Sequence, residues 1–148
     1  MRTIEAVRRS GIGITREQTV QEAASIMEHS GVGALVVLDG TEPVGIVTDR
    51  DLVRRVLAHG QPSDARVDSV MSSPVITVGA DADLHAAYAL FRTHGVRRLA
   101  VIREGQFLGM LTVDDLLVDL ADDLTDLSRP ISAEIYHAHH NSTVPAVP

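Results

Sequence analysis

Residues 45–52 read GIVTDRDL and residues 109–116 read GMLTVDDL. Gly, Thr, Asp and Leu recur at matching places while the residues between them drift. Thr48 and Thr112 are 64 residues apart, as are Gly45 and Gly109, Asp51 and Asp115, and Gly31 and Gly95. The same shift, without a gap, superposes Ile14 on Val78, Val20 on Leu84, Ala23 on Ala87, Leu35 on Leu99 and Val37 on Val101. A register held over that length marks an internal duplication, so the fold is sought as one unit used twice.

Within each copy the hydrophobic period changes in the same order. Ile12 and Ile14, like Ile76 and Val78, alternate as a short strand does. Val20, Ala23, Ala24 and Met27 then share one helical face, as do Leu84, Ala87, Tyr88 and Phe91. Gly31 and Gly95 stand where a left-handed helix end is needed. Two apolar runs follow in each copy, ALVVL and VGIVT in the first, RLAVI and FLGML in the second, joined by DGTEP or REGQ. Short turn-rich joints of that kind predict adjacent antiparallel strands. A second helix closes each copy, carrying Leu52, Val53, Val56 and Leu57 up to Gly60, and then Leu116, Leu117, Leu120, Leu124 and Leu127. The expected fold class is α+β: two β-α-β-β-α repeats, over 1–64 and 65–127, with a C-terminal tail over 128–148. A unit of about 60 residues buries too little apolar surface alone, so the copies are expected to pack on one another about a pseudo-two-fold axis.

Composition narrows the function classes. Hydrophobic residues make up 45% of the 148 and aromatic residues only 3%, so aliphatic side chains must fill the core. There is no apolar run of about 18 residues to span a membrane, and MRTIEAVRRSG lacks a secretory apolar segment. With no Cys, disulfides and thiolate chemistry are excluded, which suits a cytoplasmic protein. The net charge of -7 repels a nucleic-acid backbone. All the basic residues are Arg, and a few placed together can still hold a small anion.

The repeated T-x-x-D lies where a strand ends and a helix begins. Unpaired N–H groups of a helix's first turn suit a phosphate. A Thr hydroxyl there can donate to a phosphate oxygen, and the Asp carboxylate can accept from ribose hydroxyls. The same four residues also write a capping box, in which Thr and the acid satisfy backbone N–H groups. Both readings stand at this level, and recurrence after the same Gly weighs toward binding.

These phrases, together with HGVRRLAVI at 94–102, resemble a tandem pair of CBS domains, the module named after cystathionine beta-synthase. The resemblance covers residues 1–127. It implies two clefts, an adenine nucleotide such as AMP, ADP or ATP as ligand, frequent homodimers, and regulation of a target protein by a module that is not itself an enzyme. In that family the Thr position meets phosphate, the Asp position ribose, and basic residues before the second strand the phosphates. Carried across, the candidate ligand-binding residues are Thr48, Arg50 and Asp51 in the first copy and Arg97, Arg98, Thr112, Asp114 and Asp115 in the second. Where the second copy has Arg97 and Arg98, the first has Gly33 and Ala34. Unequal clefts are therefore expected, with the tighter phosphate site grouped around Thr112 and Asp115.

Other features carry less. GIG at 11–13 and GVG at 31–33 lack the third Gly of a dinucleotide fingerprint. Asp114, Asp119, Asp122, Asp123 and Asp126 read as the solvated face of the last helix rather than a cation site. His137, His139 and His140 read as part of a frayed terminus rather than a metal site. No His is placed by the pattern beside a nucleophile, so the choice lies between a nucleotide sensor and a ligand-free interaction scaffold.

Overall fold

The computed structural model describes residues 2–141, with side chains as far as Ser128. It divides into two compact units, residues 1–113 and 114–148.

The larger unit begins with a single helical turn, α1 (Ile4–Val7). The first copy follows as β1 (Gly13–Thr15), α2 (Val20–Ser30), β2 (Ala34–Asp39), β3 (Glu42–Thr48) and a short α3 (Asp49–Asp51). The second copy repeats it as β4 (Thr77–Gly79), α4 (Leu84–His94), β5 (Arg98–Arg103) and β6 (Gln106–Thr112). In each three-stranded sheet the first strand runs parallel to the central one and the third antiparallel to it, in the orders β1-β2-β3 and β4-β5-β6. Helices α2 and α4 both end at a left-handed Gly, Gly31 at φ 65° and Gly95 at φ 61°, as the sequence predicts. Their starts differ in chemistry: Thr19 and Glu22 form a full capping box, whereas Asp83 alone accepts from the Ala86 N–H.

The α+β class and the two repeats stand as expected. Ile14, Val20, Ala23, Leu35, Val37 and Val47 are buried, and so are their counterparts Val78, Leu84, Ala87, Leu99, Val101 and Leu111. The 64-residue repeat is thus a repeat of core positions.

Chain-crossing at the leading segments is not legible in the repeat pattern. Residues 3–9 pair with the second copy: the Ile4 N–H donates to the Ala82 carbonyl, and Arg9 and Met110 exchange two backbone hydrogen bonds, each 3.0 Å. Residues 65–72 pair with the first copy, where Val67 donates to Gln18, and Ile46 and Ser72 exchange a second such pair. Arg103 binds the Glu5 carboxylate and holds its pKa below the usual range, fastening the first crossing. Asp68, bonded by Arg66 and Arg16 and likewise lowered, fastens the other.

The Gly of each quoted phrase lies under such a crossing. A Cβ on Gly109 would come within 2.4 Å of the Arg9 carbonyl oxygen, and one on Gly45 within 2.9 Å of that of Ser72. Both positions need a residue with no side chain because another backbone passes over them.

After α3 the first copy's closing helix widens into a π-helical stretch, Leu52–Val56, and a final 3-10 turn, Leu57–His59, ending at left-handed Gly60. Hydrophobic spacing does not report that change of winding, because it sets which residues share a face and not which carbonyl each N–H reaches.

The smaller unit contains α5 (Val113–Asn141) from Asp114 onward. The helix runs past Leu127, where the sequence reading ended it. Asp115 and Asp119 are buried, while Leu117, Leu120, Leu124 and Leu127 are exposed. The expectation of a solvated acidic face is corrected at Asp119, while Asp114, Asp122, Asp123 and Asp126 are exposed. Periodicity tells which residues share a face, not which face is covered. His137, His139 and His140 carry helical backbone, and their side chains lie outside the described residues.

Candidate functional site

Strand β3 delivers Thr48 to the start of α3, and the capping box is realised there. The Thr48 hydroxyl accepts from the Asp51 N–H at 3.1 Å, and the Asp51 carboxylate accepts from the Thr48 N–H at 2.9 Å. The guanidinium of Arg55 stands 3.8 Å from the same carboxylate and donates to the Val70 and Met71 carbonyls. Asp51 is therefore held in the cap and by Arg55.

A cleft of about 260 Å³ opens beside Thr48. Ile46, Val75, Ile76 and Val96 wall it with aliphatic surface, Thr48 and Ser72 supply hydroxyls, and Arg97 and Arg98 supply positive charge. Each part has a local cause. The Val113 N–H donates to the Arg97 carbonyl at 3.1 Å, which ties the approach to β5 to the end of β6. Ser72 is brought in by the crossing segment paired with Ile46. Among the described residues the half-buried Arg98 guanidinium makes no hydrogen bond or ion pair.

The grouping differs from the sequence expectation in one respect. Arg98 stands opposite Thr112 in the ladder, and the cleft that Arg97 and Arg98 line contains Thr48 of the other copy. A repeat aligned along the chain pairs each Arg with the Thr of its own copy. Packing of the two copies brings the start of β5 to the end of β3 instead. Arg50 and Asp51 line a separate hollow of about 240 Å³ with Arg54, Arg55 and His59. Thr112, Asp114 and Asp115 lie at the β6–α5 junction, each engaged in polar or electrostatic interactions.

Sequence reasoning missed Ser72 and the aliphatic wall at 75 and 76, since only tertiary contacts bring the crossing segment to the cleft. The two junctions also differ in what surrounds them. In the first copy the Asp49 N–H donates to the Gly33 carbonyl as Val113 does to Arg97. A side chain on Gly33 would meet the Asp49 carboxylate at 3.0 Å. One junction therefore presents Gly33, Ala34 and an acid where the other presents Arg97, Arg98 and Val113.

Among the described residues no group of three or more His, Asp or Glu is arranged to hold a metal ion, and no helix is long and apolar enough to cross a membrane.

The family model for the CBS domain matches residues 5–58 and 67–122. An uncharacterised protein of Methanopyrus kandleri is 36% identical over 116 residues, which are 76% of this chain and 59% of that protein. The CBS domain-containing protein YhcV of Bacillus subtilis is 33% identical over 106 residues, covering 72% of this chain and 76% of that one. Among solved structures, a CBS domain protein from Pyrobaculum aerophilum complexed with AMP superposes with a TM-score of 0.69 at 26% identity, over 82% of this chain and 99% of that chain.

Proposed function

Since the chain belongs to the CBS-domain family, with two CBS domains in tandem, we propose that it is a regulatory module that binds an adenine nucleotide unchanged and passes the occupancy to a partner protein. The observation that carries this reading is a cleft lined by Arg97 and Arg98, the hydroxyls of Thr48 and Ser72 and an aliphatic wall. A flat purine suits the wall, and phosphate oxygens suit two guanidinium groups and a hydroxyl. The AMP complex of the Pyrobaculum aerophilum protein supports the choice of ligand class. The cleft around Arg97 and Arg98 is the tighter phosphate site, with Thr48 rather than Thr112 as its hydroxyl.

The same reading makes the protein a cytoplasmic homodimer without catalytic activity. Exposed Val53 and Leu57 and the exposed leucines of α5 are the apolar surface a second copy would cover.

A second reading has its own observation. Thr48 and Asp51 already satisfy one another as a cap, which is all a ligand-free scaffold requires of them. Mass spectrometry of small molecules released on denaturation, with calorimetric titration of AMP, ADP and ATP, separates the two. Ligand at about 100 times its Kd stabilises a one-site protein by roughly 2.7 kcal/mol. Absence of both released nucleotide and heat at millimolar ligand would leave the scaffold.

A further inference from the structure

The two crossing segments make matching bridges, Ser72 with Ile46 and Arg9 with Met110. Ile46 and Met110 are 64 residues apart, but Arg9 and Ser72 are 63 apart, so the constant shift sets Arg9 against Ser73 and hides the match. Residues directly opposite in an antiparallel pairing show their side chains on one face. In the first crossing that face is the cleft, since Ile46 and Ser72 both line it. Arg9 therefore takes, beside Met110 near the end of β6, the place that Ser72 takes beside Ile46 near the end of β3.

A cation there offsets what the strand lacks. Gly33 and Ala34 stand where the other junction has Arg97 and Arg98, and the Asp49 carboxylate lies beside Gly33. Arg9 is exposed and already engaged in polar or electrostatic interactions. A guanidinium carries five N–H donors, enough to keep a protein partner and bind a phosphate as well.

The neighbouring Arg8 supplies a second observation. It lies over Gly109 as Met71 lies over Gly45: a Cβ on Gly109 would be 3.0 Å from Arg8 Nη1, and one on Gly45 2.6 Å from the Met71 sulfur. Arg8 Nη1 donates to the Leu108 carbonyl at 3.2 Å, while its Nε is buried without a partner among the described residues. The Glu5 carboxylate attracts Arg8 through space but is bound by Arg103. A half-buried guanidinium with an unsatisfied N–H costs stability, and an anion close by reduces that cost.

We propose that Arg9 makes the leading segment part of a second phosphate-binding place, with the Thr112 hydroxyl as a further donor, so that a phosphate bound there fastens residues 3–9 onto β6. The inference rests on the nucleotide reading and deepens it. It names the residue that holds phosphate at the junction without Arg97 and Arg98, and the segment that responds to occupancy.

Hydrogen exchange tests it, because the Ile4 and Arg9 amides donate across this crossing and the Ser72 amide donates across the other. AMP at about ten times its Kd should slow exchange of the Ile4 and Arg9 amides about tenfold. Arg9→Ala should abolish that slowing, and Arg9→Lys should keep part of it. Arg98→Ala should keep it and lose the slowing at Ser72. Each slowing is a ratio within one variant, so a general loss of stability does not imitate the result. Equal slowing in Arg9→Ala and wild type, or no slowing at residues 3–9 in a wild type that takes up AMP by calorimetry, overturns the inference and leaves the nucleotide reading standing. Slowing by inorganic pyrophosphate, with no heat from AMP, ADP or ATP, supports the phosphate place and sinks the nucleotide reading. No response to any of these compounds overturns both.

Discussion

Replacing Gly109 by Ala tests the explanation of why the repeated phrase begins with Gly. The added Cβ would lie 2.4 Å from the Arg9 carbonyl oxygen, where ordinary contact begins near 3.4 Å. The backbones must therefore separate by about 1 Å, since the obstructing atom belongs to the main chain. Overpacking of this kind costs about 1–3 kcal/mol. The paired hydrogen bonds between Arg9 and Met110, each 3.0 Å, would be stretched or lost, at about 1 kcal/mol net apiece. The combined loss is about 3–5 kcal/mol. For a chain of this size about 2–4 °C of melting temperature goes with each kcal/mol, so Gly109→Ala should melt on the order of 10 °C lower. Gly45→Ala should lose less, because its nearest obstacle is the Met71 sulfur, which can swing aside, and the Ser72 carbonyl is farther, at 2.9 Å. Gly79→Ala is the control, since a Cβ there meets nothing within 4 Å. Thermal melts rank the three, and hydrogen exchange at Arg9 and Met110 locates the damage. If Gly109→Ala melts within about 1 °C of wild type, or if its losses match those of Gly79→Ala, the close-approach argument is wrong.

Arg98→Ala should weaken nucleotide binding by about 10- to 100-fold, the range for one hydrogen bond to a charged group, with the melting temperature little changed; titration calorimetry reads it, and equal affinity in the variant refutes the phosphate assignment. Thr48→Ala should cost about 0.5–2 kcal/mol of stability through loss of the cap, and Thr48→Ser should recover most of it in chemical denaturation. For acid sensitivity, Arg66 and Arg16 lower the pKa of Asp68, and Arg103 lowers that of Glu5. A lowered folded pKa contributes stability that is present above the unfolded value and lost as pH falls through the folded one. Stability should hold above about pH 5 and fall below about pH 4, more shallowly in Asp68→Asn than in wild type; an unchanged acid slope in that variant would show that the carboxylate does not fasten the crossing.

The duplication, the order of strands and helices in each copy, the glycine helix ends at 31 and 95, and the aliphatic core positions were all legible from residue spacing. Each rests on local rules: a side chain's face follows from the period of its own element, and a left-handed turn from the lack of a Cβ. The T-x-x-D chemistry was legible as a choice between cap and ligand, and the structure shows the cap at Thr48 and Asp51. Spacing along one chain could not tell that residues 3–9 pair with β6 and residues 65–72 with the first copy, because exchanging two equivalent segments leaves every local pattern unchanged. For the same reason it could not tell that Thr48 of the other copy lines the cleft with Arg97 and Arg98. The cleft is made where two sheets meet, and the distance across that meeting depends on tertiary contacts between residues far apart in sequence.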